Sequence, residues 1–439
     1  MRLIKATVIT VSEASSNAVC DVPSDASCAA TASAASIASR TATASAVFIT
    51  SSDVSSNVHQ NLQNHQNLQN PQNLQNHQDL QNSRRIQRLT CTPLDAYGLP
   101  TEVPALNYLA LGPAVRVGEC VMLNVTALDL ELGTGGLAFV VPNDSLDTSE
   151  QCATSAEPIT AAHIMKLRYT PLQREVLAVE EEASPHHATM AQARSLEGTP
   201  VVCCGLFSQV ILVAAAARQR CPEACIIYCM TDEAALMLAF ADLAVEAREA
   251  GLIDAVITCG QALGGDLDAV NLHSGLLAAR HVLKADIIIA GIGPGIVGTA
   301  TPFGHGGIAQ AEALNAAAVL DGVPIATLRL SFADARERHR GVSHHTLSAL
   351  GVATLAEAII VCPDDLVPAQ SEAVEQALCE ADILDRHGFV RVPLDAAAID
   401  LRGLRVTTMG RTQADDPAFF SAAFAAGLFA GSLLELQNP

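Results

Sequence analysis

The stretch TPVVCCGLFSQVILVAAAARQRCPEACIIYCMTD, residues 199–232, decides how most of this chain folds. It holds two short apolar runs, Val201–Gly205 and Ala224–Met230, with an Ala-rich segment ending at Arg220 between them. Short apolar runs bounded by turn residues suit strands buried on both faces, and the longer segment suits a helix. Gly205, Ser208 and Gln209 break Val201–Ala217 into strand, turn and helix, so it falls short of the ~18–20 residues of a membrane span. Downstream the unit recurs. Asp232 occupies a helix N-cap position, Leu236, Phe240, Leu243 and Ala247 share one helical face, and Gly251 stops the helix. Ala255–Cys259, Asp286–Ala290 and Pro324–Leu330 are the next strands, separated by helices reaching about Leu283 and Leu320. Ala358–Val361 and Leu404–Thr408 add further strands. Alternation of this kind predicts an α/β domain over residues 195–432: a mainly parallel, Rossmann-like sheet with helices on both faces. The apolar stretch Ala418–Leu434 reads as a helix docked on its core.

Upstream the texture differs. Met1–Val11, Tyr108–Leu111, Glu119–Leu123, Leu137–Val141, Ile164–Tyr169 and Glu175–Val179 are rich in β formers and punctuated by glycine. They predict a small β-barrel-like domain over residues 1–11 and 85–190. Residues 12–84 interrupt it. A Ser/Ala/Thr tract there leads into HQNLQN, HQNLQN, PQNLQN and HQDLQN, from His59 to Asn82. One Leu per repeat matches neither a helical stripe nor strand alternation, so the tract reads as a disordered, low-complexity hairpin insertion.

Composition narrows the function classes. The net charge is −21, from 46 acidic against 25 basic residues. Such a surface repels nucleic acid and anionic membrane. Thirteen cysteines, an odd number, do not form a secreted disulfide framework and point to a reducing cytoplasm. Cys221, Cys225 and Cys229 read as structural. The opening MRLIKATVITVSEA is too short an apolar run for a signal peptide and reads as a strand.

In parallel sheets, ligands bind outside the carboxyl ends of the strands, and the unusual residues follow those ends. Met230-Thr231-Asp232 follows the second strand. Gly260 to Asp268, with Gly264, Gly265 and Asp266, follows the third. Gly291 to Thr299, with Gly293, Gly295 and Gly298, follows the fourth. Its Gly-x-Gly-x-Gly-x-x-Gly spacing and internal Pro294 depart from a dinucleotide fingerprint, so it reads as a backbone cradle able to face an anion. After the fifth strand comes RERHRGVSHHT, residues 336–346, with three Arg and three His in a very acidic protein. Ser343 is placed to cap a helix starting at His344. That combination suits phosphate or carboxylate. The candidate catalytic residues are therefore His344, His345, Asp232 and Asp266. The candidate ligand-binding residues are Gly264, Gly265, Asp268, Gly293, Gly295, Gly298, Thr299, Arg338, Arg340 and Ser343. Lys166, Arg168 and Arg411 are weaker basic candidates. Adjacent His344 and His345 diverge by about 100° on a helix and seldom share one ion. A metal would need one His from this pair and one from His186-His187, plus Asp232, Asp266 or Asp268. No metal site and no cofactor is assigned.

The segments KLRYTPLQ, SPHH, GQALGGDLDAV, HSGLLAARHVL, GPGIVGT, RERHRGVSHHT and TMGR, in this order, resemble a bacterial family known as domain of unknown function 3866. The resemblance covers the first ten residues and about Arg85 to Phe429. It implies that these loops belong together and carries no established reaction. Two features depart from the family pattern: the tract between Ser12 and Ser83, and Ala300 in place of Gly. The leading expectation is an enzyme acting on a small phosphorylated or carboxylated metabolite or nucleotide. The alternatives are a metal-assisted hydrolase with His/Asp ligands and a non-catalytic ligand sensor or scaffold. A homo-oligomer is compatible with each.

Overall fold

The computed structural model describes residues 3–13, 86–94, 100–109, 111–125, 128, 136–141, 162–167 and 174–437. The chain forms two compact units, with the boundary between described residues 141 and 162. In the first, β1 (Leu3–Glu13), β2 (Ile86–Pro93), β3 (Val103–Tyr108), β4 (Cys120–Asn124) and β5 (Ala138–Val141) close a barrel in the order β1-β2-β3-β5-β4. Alternate residues such as Ala6, Val8, Leu89, Cys91 and Leu123 point inward and fill it. β1 and β2 pair antiparallel from Ala6↔Pro93 to Glu13↔Gln87. The Gln/Asn tract thus lies between two partner strands, as a hairpin insertion should; the tract itself is outside the described residues.

β6 (Ile164–Lys166) and β7 (Arg174–Val176) pair with each other and belong to the second unit, not to the β domain. Lys166 explains why. Its ammonium is buried and donates to the Thr258 and Ala262 carbonyls (3.1 and 2.5 Å) and to Asp268 Oδ1 (2.7 Å).

The second unit is built on eight parallel strands: β8 (Pro200–Cys204), β9 (Ile226–Thr231), β10 (Ala255–Cys259), β11 (Leu267–Ala269), β12 (Ile287–Ile292), β13 (Val323–Thr327), β16 (Ile359–Pro363) and β17 (Gly388–Val392). A two-stranded ribbon, β14 (Leu330–Ser331) with β15 (Gly341–Val342), follows β13. The sheet order is β11-β10-β9-β12-β8-β13-β16-β17. The parallel sheet covered by helices is as expected, but its strand order does not confirm the Rossmann-like part of the expectation. The fifth strand of the sheet in chain order, β12, is inserted between the first two, whereas a dinucleotide fold runs 3-2-1-4-5-6.

The strands are apolar on both faces because both are covered. Val202 and Cys204 point into one core, with α1 (Phe207–Arg220), α2 (Asp242–Glu249) and the C-terminal helix. Val201 and Cys203 point into the other, with α3 (Leu272–His281), α4 (Ala309–Val319) and α6 (Pro368–Glu380). Between α4 and α6 lies the short helix α5 (His344–Ser348). The C-terminal helix α7 (Pro417–Gln437) is long and apolar enough to cross a membrane, yet most of it is buried inside this fold. Phe419, Phe420 and Phe424 are fully buried along it, each worth about 2–3 kcal/mol of apolar transfer.

Three local expectations change. The helix expected to start at Asp232 begins at Asp242, after a single 3-10 turn at Leu238–Phe240. Leu404–Thr408 is not a strand; Thr408 only bridges to Arg411. The strands β11 and β17 were not anticipated.

Candidate functional site

Because β12 and β13 flank β8, the loops leaving their carboxyl ends are neighbours. Two buried glutamines fix that edge. Gln310 donates to the Cys203 and Thr327 carbonyls (2.9 and 2.7 Å), and Gln209 donates to the Leu328 carbonyl (2.9 Å). The loop after β12 runs out to an exposed turn at Thr299 and returns at His305, where Gly298 bridges it. The Arg/His segment leaves β13 through Arg329 and is clamped back onto it. The Ser343 amide donates to the Arg329 carbonyl (2.9 Å), and the Arg329 amide donates to Thr346 Oγ1 (3.1 Å).

Four imidazoles meet there. His305 stacks on His345 with ring centroids 3.8 Å apart. His344 lies 4.5 Å from His345 and 5.5 Å from His305. His339 lies 5.0 and 4.9 Å from His344 and His345. Ser343 caps α5, its Oγ accepting from the His345 amide (3.3 Å) and lying 2.7 Å from His339 Nδ1. The cap matches expectation, but α5 has only five residues before a wider π turn at Ala349–Ala353, so its dipole adds little. His344 and His345 do converge, against the helical-wheel expectation. Both sit in the first turn, where no preceding turn restricts their rings.

The cluster is positively charged yet its imidazoles stay neutral. Arg329 is buried, and its Nη1 donates to His345 Nδ1 (2.9 Å). Burial lowers the guanidinium to about 10. Burial is also the first cause of the low imidazole values, with nearby guanidinium groups as the second for His339: about 3 for His339 and about 4 for His344. His345 is held far below its ordinary value, by burial first and then by Arg329, and His305 is lowered by burial. His305 Nδ1, His344 Nε2 and Arg329 Nε are buried without a hydrogen-bond partner among the described residues.

Outside the cluster is a hollow of 460 Å³ floored by Phe332, Val342, Leu347, Ala373 and Ala377 and edged by Glu337, Arg338, Arg340 and His344. Arg336 is spent on Asp334 (2.8 Å) and Arg411 on Asp416 (2.9 Å). Arg338 and Arg340 are exposed and have no hydrogen-bond or ion-pair partner among the described residues.

The structure therefore gathers His344, His345, Ser343, Arg338, Arg340 and Gly298 at one place. Other sequence candidates lie elsewhere. Gly295 and Thr299 are exposed along the loop that ends at His305, Thr299 bonding Thr301 and Gly304. Gly293 is buried against Met230 and Ala235. Asp232 accepts from the Gln261 amide (2.7 Å) rather than capping a helix, and approaches Gly260 too closely for any Cβ there. Gly264 and Gly265 lie on the return from β10 to β11. Asp266 is held by Arg248 (2.6 Å) and the Val256 amide (2.9 Å), at the amino end of β10. Asp268 sits on edge strand β11 with Lys166 and Thr258. Four strand spacings separate β11 from β8, roughly 19 Å. Both oxygens of Asp266 are taken by Arg248 and the Val256 amide, and Oδ1 of Asp268 by Lys166 and Thr258. His187 bonds the Glu180 carbonyl (2.8 Å) and does not join the cluster. Sequence reasoning missed His305 and Arg329. The signal for the first was a His enclosed by glycines, Gly304-His305-Gly306-Gly307. Arg329 carried no signal beyond a charge at a strand end.

Residues 104–427 match the family described as "Protein of unknown function (DUF3866)". The chain belongs to that family. The matched span takes in the whole of the α/β unit's sheet and both loops that build the cluster, and the family description names no activity. No curated protein and no solved structure matches the chain significantly.

Proposed function

We propose that this DUF3866 protein is a cytoplasmic enzyme that binds a small anionic metabolite, phosphorylated or carboxylated, in the hollow beside α5. The observation that carries the proposal is charge without partners. Arg329, Arg338 and Arg340 have no carboxylate partner among the described residues, in a protein of net charge −21. Arg338 and Arg340 edge the hollow, and guanidinium forks favour phosphate and carboxylate. The apolar floor fits an organic portion of the ligand, and the acidic surface disfavours nucleic acid and membrane. His344, half-buried at the edge of the hollow, is the imidazole placed to meet a bound ligand. All described cysteines are free, as a reducing compartment keeps them.

The test is a thermal titration with inorganic phosphate and pyrophosphate, comparing wild type with R338A/R340A. Wild type should gain stability with ligand by mass action, and the double variant should not. Equal stabilisation of both proteins overturns the placement. A wild type that is stabilised but turns over no member of a panel of phosphate esters and carboxylates is a sensor rather than an enzyme.

A further inference from the structure

We propose that His305, His344 and His345 together hold one divalent transition-metal ion, with Arg329 swinging away from His345 toward an anion bound beside it. One nitrogen from each of the three rings lies within 4.8 Å of the others. A tetrahedral ion with bonds of about 2.0–2.1 Å sets ligand nitrogens about 3.3 Å apart, so ring shifts of roughly 1 Å close the site. The lone pairs are available where it matters. His305 Nε2 lies 3.0 Å from the Pro302 carbonyl oxygen, which can only accept. His305 Nε2 therefore carries the proton and Nδ1 the lone pair, and Nδ1 is buried with no partner. A ring N–H given to a backbone carbonyl is also how metal-bound imidazoles are oriented. His344 Nε2 is likewise buried and unpartnered. An orphaned buried acceptor is costly, and a Lewis acid satisfies several at once.

Arg329 opposes this arrangement as it stands. A guanidinium only donates, so the Nη1 contact of 2.9 Å occupies the lone pair of His345 Nδ1. It also places a positive charge beside the ion. Both difficulties end if the guanidinium turns to an anion. The site then holds metal, anion and Arg329 in alternating charge, and metal and anion strengthen each other's binding by linkage. Imidazole donors select the Zn2+, Co2+ and Ni2+ class over Mg2+ or Ca2+. Metal binding here does not depend on the anion proposal; only the mutual strengthening rests on it.

The test uses the full chain carrying H59Q/H65Q/H77Q, which removes the repeat histidines as rival ligands. Chelator-treated protein is titrated with Co2+ in phosphate-free buffer and followed by visible absorption. One equivalent should bind with the intense bands of a low-coordinate nitrogen site. H305A and H344Q should each weaken binding at least tenfold while circular dichroism remains that of the folded protein. If H305A does not fold, the partly exposed His344 position carries the test alone. Millimolar phosphate should tighten Co2+ binding in the parent and not in R338A/R340A. No Co2+ or Zn2+ binding by the folded parent, or equal binding by H344Q, overturns the site. Phosphate-independent metal binding overturns the role given to Arg329.

Discussion

Replacing Lys166 with Met tests whether Asp268 belongs to a ligand site or to the fold. The side chain of Lys166 is 1 % exposed and that of Asp268 is 18 % exposed, with 2.7 Å between Nζ and Oδ1. Nζ makes two further bonds, to the Thr258 and Ala262 carbonyls. K166M keeps the volume of the stem but strips the carboxylate of its counter-charge and two carbonyls of their donor. Breaking a buried pair from one side costs about 3–5 kcal/mol. Asp268 retains the Thr258 hydroxyl (2.7 Å) and some water, so the loss should fall near the lower end, at about 3 kcal/mol. D268N removes the charge but keeps an acceptor, and should cost about 2 kcal/mol by leaving the ammonium to the carbonyls alone. The double variant K166M/D268L removes both charges, and should cost less than the sum of the singles by at least about 1 kcal/mol, because neither partner is left alone. Urea unfolding by fluorescence or circular dichroism reads all three, with phosphate affinity measured alongside. The reasoning is refuted if K166M costs under about 1 kcal/mol, or if D268N leaves stability intact and abolishes phosphate binding.

Three further outcomes follow from single contacts. G427A should cost about 2–3 kcal/mol in urea unfolding, because a Cβ there would stand 2.3 Å from the Val213 carbonyl oxygen and force α7 away from α1; an unchanged midpoint contradicts that approach. A300G should raise stability by about 0.5 kcal/mol in thermal melts, since Ala300 has φ +62° and only glycine holds that conformation without strain; a loss contradicts it. His387 is held below its ordinary value by burial, so the unfolded chain binds its proton first as pH falls. Stability is full above about pH 6.5 and declines below it, toward the values of about 4 and about 3 at which His344 and His339 protonate in the fold. H387Q should show a smaller loss between pH 7.5 and 5.5 than wild type, and an equal loss assigns the decline elsewhere.

How much of this fold the chain discloses varies with the length of the apolar runs. β8, β9, β10, β12 and β13 are four to six apolar residues between turn formers, and each was legible from that alone. β11 is Leu-Asp-Ala and β17 is Gly-Phe-Val-Arg-Val, edge strands too short or too polar to stand out. The helical spacing from Leu236 to Ala247 was real, but its first half is claimed by tertiary pairing: Met237 bridges Leu263, and the Leu238 amide donates to the Leu263 carbonyl (2.9 Å). Asp266 and Asp268 misled for a related reason. Residues following a strand were assumed to stay at its carboxyl end, whereas this connection doubles back to lay β11 in register with β10, Ile257 opposite Leu267. Ala300, expected to be Gly, proves to occupy a left-handed position.

What separates the functional candidates from the rest is whether their hydrogen-bonding capacity is already spent. The candidate carboxylates, Asp232 and Asp266 as catalytic groups and Asp268 as a ligand-binding one, each hold a backbone amide, an arginine or a lysine, and such groups fasten loops. The Arg/His segment does the opposite. Its backbone is bound to β13 through Ser343 and Thr346, while Arg338, Arg340 and the facing nitrogens of His305 and His344 have no partner among the described residues. Burying unpaired polar atoms is costly, and a fold selected only for stability would have filled these positions with apolar side chains. The insertion of β12 beside β8 gives that cost a purpose. It carries the His305 loop to the centre of the sheet, beside the exit of β13, so that two distant segments complete one charged cluster over the central strands.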